Sequence, residues 1–170
     1  MRIGIGYDSH RFADGRRLVL GGVEIAHPRG LAGWSDADVV CHALTDAILG
    51  AASLGDIGRM FPSDDPQWHD ASSLALLGKA NLACLEYGLA FHQGDVTIIA
   101  EEPRLGPYVA DMERNLAEAL VAGSTHVSIK AKTNDGMGFV GRGEGIAAIA
   151  VAVLVETQAA RLSGAMSMPG

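Results

Sequence analysis

The sequence predicts an α+β domain, with a mixed, mostly four-stranded sheet, helices packed on one face and a small β-hairpin. Segments with strand-like alternation or β-branched residues lie at both ends and in the middle of the chain. Segments with helical apolar spacing lie between them. Two strand-like segments follow one another near the C-terminus, which argues against a purely parallel sheet.

The first predicted elements are strands. RIGIGYD, at residues 2–8, alternates apolar residues with glycine and predicts a strand. Residues 17–25 predict a hairpin, because Gly21 and Gly22 separate two short apolar runs. The chain then changes from a period of two to helical spacing.

Two helices are predicted next. Residues 36–50 have helical apolar spacing, and Ser35 followed by Asp38 forms a capping-box pattern at the start. Residues 70–88 predict a second helix that ends at Gly88. Both helices are long enough to cover one face of a sheet.

The remaining elements complete the layered arrangement. Residues 95–100 are β-branched and predict a strand, and a helix is expected to start at Pro107. Residues 126–132 and 146–156 predict two final strands joined by a glycine-rich turn. Residues 1–156 are therefore expected to form one domain, and residues 157–170 a disordered C-terminal tail.

Composition narrows the classes of partner. The 170 residues carry a formal net charge of −7 without a basic run, so nucleic acid and membrane are not expected partners. Cys41 and Cys84 form no zinc-type or disulfide-framework spacing, which favours reduced thiols. The N-terminus has no signal-peptide pattern, and residues 145–155 form the longest apolar stretch, about half of a membrane span. A cytoplasmic enzyme or binding protein is the expectation.

Three side chains form a candidate metal site. Asp8 and His10 are two positions apart on a strand and leave from the same face. With His42 from the first helix they would provide three zinc ligands and an open fourth position. Asp38 and Asp46 lie on the same helix stripe as His42 and would accept imidazole N–H groups. The competing interpretation is a solvated helix face that carries a histidine.

Two further features suggest a phosphorylated ligand. Free N–H groups at the N-terminus of the first helix, with the Ser35 hydroxyl, attract phosphate. Residues 55–65 form an acidic loop, and residues 130–145 combine five glycines with Lys132 and Arg142. The competing interpretation of these glycines is a hairpin with close backbone packing.

The motifs GYDSH, SDADVVCHALTDAILGAASLGDIGRMFP and GFVGRGEG resemble the 2-C-methyl-D-erythritol 2,4-cyclodiphosphate synthase family over residues 1 to about 156. The resemblance implies a homotrimer with active sites between subunits. It also implies a lyase that converts 4-diphosphocytidyl-2-C-methyl-D-erythritol 2-phosphate to the cyclic diphosphate and releases CMP. One Zn²⁺ per subunit would bind Asp8, His10 and His42, and Mg²⁺ or Mn²⁺ would bind with the diphosphate near Asp135.

The resemblance further implies a set of substrate contacts. Ser35 and Thr133 would contact phosphates, Thr133 would stabilise the transition state, and residues 100–106 would receive cytosine. The complete set is Asp8, Ser9, His10, Trp34, Ser35, Asp56, Ile57, Gly58, Phe61, Pro62, Ser63, Asp64, Asp65, Ala100, Glu101, Glu102, Pro103, Arg104, Leu105, Gly106, Lys132, Thr133, Asn134, Asp135, Phe139 and Arg142.

Trp34 departs from the family pattern, which generally has histidine at this position, where it assists the transition state. The indole of Trp34 donates one hydrogen bond, but unlike imidazole it cannot carry a proton or a positive charge. We expect Trp34 to pack on Val39 as a hydrophobic staple and to contribute little to the transition state. Two alternatives therefore stay open: a zinc-dependent phosphate-ester hydrolase, and a catalytically impaired trimeric ligand-binding protein.

Overall fold

The computed structural model describes residues 1–158 and 160. Seven strands occur in this range: β1 (Arg2–Asp14), β2 (Leu18–Leu20), β3 (Val23–Ile25), β4 (Arg29–Leu31), β5 (Leu89–Ile99), β6 (Val127–Lys132) and β7 (Gly145–Glu156). The helices are α1 (Val39–Ala52), α2 (Ile57–Met60), α3 (Ser73–Glu86), α4 (Val109–Ala119) and α5 (Gly138–Gly141).

The main sheet has the order β4-β1-β7-β5-β6 and is mixed, as predicted. Strands β5 and β6 are parallel, whereas β7 pairs antiparallel with both β1 and β5. Strands β2 and β3 form the separate predicted hairpin. The sheet has five strands rather than four, because β4 was missed: its three residues are too few to show alternation.

The predicted pairing of the last two strands is wrong. Strand β5 lies between β6 and β7, so the glycine-rich segment is a crossover and not a tight turn. This segment contains helix α5 and the left-handed residues Asp135 and Gly136 (φ 50° and 74°). The glycines therefore serve a longer, irregular connection.

Helix α1 packs directly on the centre of the sheet because the sheet residues beneath it are small. A Cβ atom at Gly6 would overlap the Ala43 carbonyl oxygen and lie 2.8 Å from Ala47 N. Gly6 pairs with Ala150 on β7, which is also fully buried. The opposite face of β1 carries exposed apolar side chains such as Ile5, so the helices cover one face, as predicted.

Helix α1 starts three residues later than predicted. Asp38 is its N-cap and accepts from the backbone N–H groups of Val40 and Cys41, so the capping box at Ser35 is wrong. Asp38 also accepts from Gly21 N and Gly22 N at 2.9 and 2.7 Å. The hydrogen bonds from the hairpin therefore determine the N-cap, and the local capping-box pattern at Ser35 does not.

The other helices agree better with the prediction. Helix α3 lies within residues 70–88, and the left-handed Gly88 (φ 71°) follows its C-cap. Gly106–Tyr108 form a short 3₁₀ turn that leads into α4. The predicted tail falls mostly outside the described residues; within them, the Thr157 backbone N–H donates to the Gly88 carbonyl at 2.8 Å. Among the described helices, none combines the length and apolar character needed to cross a membrane.

Candidate functional site

Asp8, His10 and His42 meet between β1 and the first turn of α1. The Asp8 Oδ2 atom lies 2.9 Å from both His10 Nε2 and His42 Nδ1. The two imidazole nitrogens are 3.1 Å apart. A tetrahedral zinc ion with bonds of about 2.0 Å needs ligand atoms roughly 3.3 Å apart. The three atoms therefore form a triangle of suitable size for one metal ion, as the sequence predicts.

The tautomer of His10 is the one needed to bind a metal ion through Nε2. The Nδ1 atom of His10 lies 2.7 Å from the Ala32 carbonyl oxygen. Because a carbonyl only accepts, Nδ1 carries the proton and donates it. The lone pair of a neutral His10 ring is then on Nε2, the atom that faces Asp8 and His42.

The charges in the cluster support one another. Burial raises the pKa of Asp8, but the adjacent imidazole groups of His10 and His42 lower it by more and leave the pKa well below its ordinary value. For His10, burial lowers the pKa, but the hydrogen bond and charge of Asp8 outweigh it, and the net pKa is raised. Asp8 is therefore anionic at neutral pH, the state in which a carboxylate can bind a metal ion.

The predicted imidazole contacts of Asp38 and Asp46 are wrong. Asp38 is fully buried and accepts from backbone N–H groups and from the Cys41 thiol. Asp46 instead accepts from the backbone N–H of Ile57 at 2.7 Å, because the side chain points toward α2 rather than β1. Asp38 thus fixes the start of α1, and Asp46 fixes the loop that follows it.

A cavity of about 540 Å³ opens beside the triangle. Many of the predicted substrate contacts line it: His10, Trp34, Ser35, Ile57, Gly58, Phe61, Pro62, Ser63 and Asp64. His42, Trp68 and Leu76 complete the lining. Asp56 and Asp65 do not line the cavity but hold its wall, since their carboxylates accept from Arg59 N and Gln67 N.

Trp34 takes a different position from the one predicted. Since the N-cap is Asp38, Val39 is the first residue of α1 and cannot be the partner of a staple at Trp34. Trp34 is 40% exposed, and its indole N–H donates to the Asp65 carbonyl at 3.2 Å. The ring packs edge-on against His69, with centroids 4.6 Å apart. Trp34 therefore stabilises the wall of the cavity through its contacts with Asp65 and His69.

Other predicted contacts line a second cavity of about 390 Å³. Its lining includes Ala100, Glu101, Pro103, Arg104, Leu105, Gly106, Lys132 and Thr133. Among the residues described, the two cavities have no lining residue in common. A single chain thus divides the predicted contacts between two places.

The turn beside the second cavity is held by Glu101. The Glu101 Oε1 atom accepts from Asn134 N at 2.8 Å and from Gly136 N at 3.3 Å. The Thr133 hydroxyl donates to Asp135 Oδ1 at 3.4 Å. Residues 131–139 are all exposed, so their polar groups are accessible to a ligand.

Nine predicted contacts line neither cavity: Asp8, Ser9, Asp56, Asp65, Glu102, Asn134, Asp135, Phe139 and Arg142. Ser9 lies on the opposite face of β1, and only its backbone N–H reaches the cluster, donating to Asp8 Oδ1 at 2.8 Å. Glu102 pairs with Arg29 at 3.2 Å. Phe139 is half exposed on α5, and Arg142 pairs with Glu144 at 2.6 Å.

Sequence reasoning missed Ser73, Asp36, Trp68 and Leu76. Ser73 Oγ lies 2.8 Å from His42 Nε2, and Ser73 is fully buried. Asp36 accepts from the backbone N–H of Ser73 at 3.0 Å. No local pattern marks these contacts, because about 30 residues separate Ser73 from His42.

Comparison with known proteins agrees with this geometry. The YgbB family model matches residues 1–155. The 2-C-methyl-D-erythritol 2,4-cyclodiphosphate synthase of Alkaliphilus metalliredigens is 53% identical over 151 residues, which cover 89% of this chain and 95% of the relative.

Solved structures have the same fold. The bifunctional IspDF of Campylobacter jejuni matches with a TM-score of 0.88 and 39% identity over 91% of this chain and 42% of that chain. A 2C-methyl-D-erythritol-2,4-cyclodiphosphate synthase in a CDP-bound form matches with a TM-score of 0.83 and 35% identity over 91% of this chain and 100% of that chain. The chain therefore belongs to the YgbB family, the family of 2-C-methyl-D-erythritol 2,4-cyclodiphosphate synthases.

Proposed function

We propose that the chain converts 4-diphosphocytidyl-2-C-methyl-D-erythritol 2-phosphate to 2-C-methyl-D-erythritol 2,4-cyclodiphosphate and CMP. The observation that carries this proposal is the triangle of Asp8, His10 and His42 beside an open cavity, in a chain 53% identical to a synthase of that name. The reaction belongs to non-mevalonate synthesis of isoprenoid precursors, and the enzyme is a phosphorus–oxygen lyase.

The reaction is an intramolecular phosphoryl transfer. An oxygen of the 2-phosphate forms a bond to the β-phosphorus, and the bond from the β-phosphorus to the bridging oxygen breaks. That oxygen and the electron pair leave with CMP. Such a transfer depends mainly on alignment and charge neutralisation. Ser35, Lys132 and Thr133 are the polar groups that we assign to the phosphates.

Zinc suits the ligand set of one carboxylate and two imidazoles. When bound, it would neutralise phosphate charge and polarise a phosphoryl oxygen. The chain's own contribution is orientation: the Ala32 carbonyl keeps the His10 Nε2 lone pair toward the cluster. We place a second ion, Mg²⁺ or Mn²⁺, with the diphosphate near Asp135, whose exposed carboxylate lies beside Thr133.

We propose a homotrimer with active sites between subunits. Two observations support it: the predicted contacts occupy two cavities without a shared lining residue, and one sheet face leaves Ile3, Ile5, Tyr7 and Val151 exposed. We call the cavity beside Asp8, His10 and His42 the metal-side cavity. Pairing the metal-side cavity of one subunit with the second cavity of its neighbour would assemble one complete site. We place the enzyme in the cytoplasm.

The alternatives have less support. A zinc hydrolase needs a general base beside the metal. Asp38 and Asp46, the two carboxylates on the same helix stripe as His42, both accept hydrogen bonds from backbone N–H groups instead. The impaired binding protein was suggested by Trp34 alone, and two of the related proteins named above carry the name of a synthase.

Incubation with the diphosphocytidyl substrate and Mg²⁺, followed by phosphorus NMR, tests the proposal. We expect CMP and the cyclic diphosphate in equal amounts, and loss of both after zinc removal by a chelator. Inorganic phosphate in place of CMP would identify a hydrolase. Ligand-dependent thermal stabilisation without turnover would identify a binding protein.

A further inference from the structure

The Ser73 hydroxyl is buried behind the His42 ring, on the side away from the metal ligands. Ser73 Oγ lies 2.8 Å from His42 Nε2, and Ser35 Oγ lies 3.1 Å from the same nitrogen. The two hydroxyl oxygens are 3.1 Å apart. Ser73 has no exposed surface, so water cannot compete for these bonds.

Asp36 fixes the direction of the Ser73 hydroxyl. One Asp36 oxygen accepts from the Ser73 backbone N–H at 3.0 Å, and the other is in short contact with the Ser73 hydroxyl. The second oxygen also accepts from Asp38 N at 3.2 Å. An ionised carboxylate only accepts, so the single Ser73 hydroxyl proton is directed to Asp36.

This direction leaves the Ser73 oxygen as an acceptor toward His42. The His42 Nε2 atom must then carry the proton, and the lone pair of the neutral ring is on Nδ1. Nδ1 is the atom 2.9 Å from Asp8 Oδ2 and 3.1 Å from His10 Nε2. Ser73 thus has the same relation to His42 as the Ala32 carbonyl has to His10.

We propose that Ser73, held by Asp36, is a positioning residue that fixes His42 as the Nε2–H tautomer and so prepares Nδ1 to bind the metal. The inference rests on the metal site of the proposed function. Hydrogen-bond partners of a ligating histidine change metal affinity by about 10- to 100-fold when they are removed. A change in metal affinity can be measured without any turnover of the phosphate substrate.

Two measurements test the proposal. Nitrogen-15 NMR of the zinc-free protein reports the His42 tautomer, and competition with a chromophoric chelator gives the Kd for Zn²⁺. We expect the Nε2–H form in the wild type. Ser73→Ala should weaken zinc binding by about tenfold, because Ser35 Oγ remains as a weaker acceptor. Ser73→Thr keeps the hydroxyl and should largely restore the affinity.

Asp36→Asn tests the second link. An amide group can donate to Ser73 and turn the hydroxyl proton toward His42, which favours the wrong tautomer. We therefore expect weaker zinc binding and a gain of the Nδ1–H form. An unchanged Kd for Zn²⁺ together with an unchanged His42 tautomer would overturn the role of Asp36.

Ser72→Ala is the matched control. Ser72 is the N-cap of the same helix, and its hydroxyl accepts from Ala75 N at 3.4 Å. This variant should lose some helix stability and keep the zinc affinity of the wild type. Equal affinities in Ser72→Ala and Ser73→Ala would overturn the inference, as would an Nδ1–H tautomer in the wild type.

These outcomes separate the inference from the proposed function. If the wild type forms the cyclic diphosphate and binds zinc, but Ser73→Ala binds zinc equally well, only the inference fails. If the wild type binds no zinc, the metal role in the proposed function fails with the inference, whereas turnover still reports the activity itself.

Discussion

The two cavities differ in how their polar groups are held. Around the metal-side cavity, Ser35 and His42 are nearly buried and are joined by hydrogen bonds that reach back to Asp36. At the second cavity, Lys132 and Thr133 are exposed, and Glu101 holds the adjoining turn through backbone N–H groups. The first set is organised within one chain. The second set is exposed, as the proposed site between subunits requires.

The largest expected effect comes from the metal side. His42→Ala removes one of the three proposed zinc ligands, so we expect loss of bound zinc and a decrease in turnover of about 10³-fold or more. Metal analysis after dialysis and a CMP-release assay measure the two effects. Normal turnover without zinc would contradict the role of the triangle.

A smaller effect is expected at the second cavity. Thr133→Val keeps the shape of the side chain and removes the hydroxyl that we assign to phosphate. Turnover should fall by about 10²-fold, the range found when one transition-state donor is lost. Zinc content should equal that of the wild type. A loss of zinc would show that Thr133, in the second cavity, also affects the metal site.

Trp34→His tests whether the metal-side cavity lacks a transition-state group. An imidazole can donate a proton or carry charge, so turnover should rise by about tenfold. Trp34→Phe is the control, because it removes only the hydrogen bond to Asp65. An unchanged rate in Trp34→His would refute the proposed deficiency.

The smallest expected effect is in pH dependence. The raised pKa of His10 stabilises the zinc-free protein below the unfolded value of 6.5, and this stability is lost as pH rises through the folded pKa. Zinc needs neutral His10, whereas Asp8 stays ionised throughout. The rise in Tm on adding zinc should therefore be larger at pH 8 than at pH 6, by roughly 2–4 °C. Equal shifts at both pH values would contradict this coupling.

The sequence predicted what depends on local spacing. Asp8 and His10 share a strand face by the period of two, and His42 lies on a helix near its N-terminus. Features that depend on distant partners were not predictable. Asp38 rather than Ser35 caps α1 because Gly21 and Gly22 donate to it from the hairpin.

Sheet order and the Ser73 contact illustrate the same limit. Strands β6 and β7 are neighbours in the sequence, but β5 separates them in the sheet. Ser73 looks like an ordinary helix-start serine, and its bond to His42 depends on how α3 packs beside α1. Pairing and packing between elements that are distant in sequence leave no local signature.

Subunit complementation tests most directly whether the two cavities of different chains make one active site. His42→Ala retains an intact second cavity, and Thr133→Val retains an intact metal-side cavity. Random trimers of the two variants should contain about one complete site in four, and so recover about a quarter of wild-type turnover. Recovery near this value supports a site shared between subunits. Turnover no higher than that of the separate variants would contradict it.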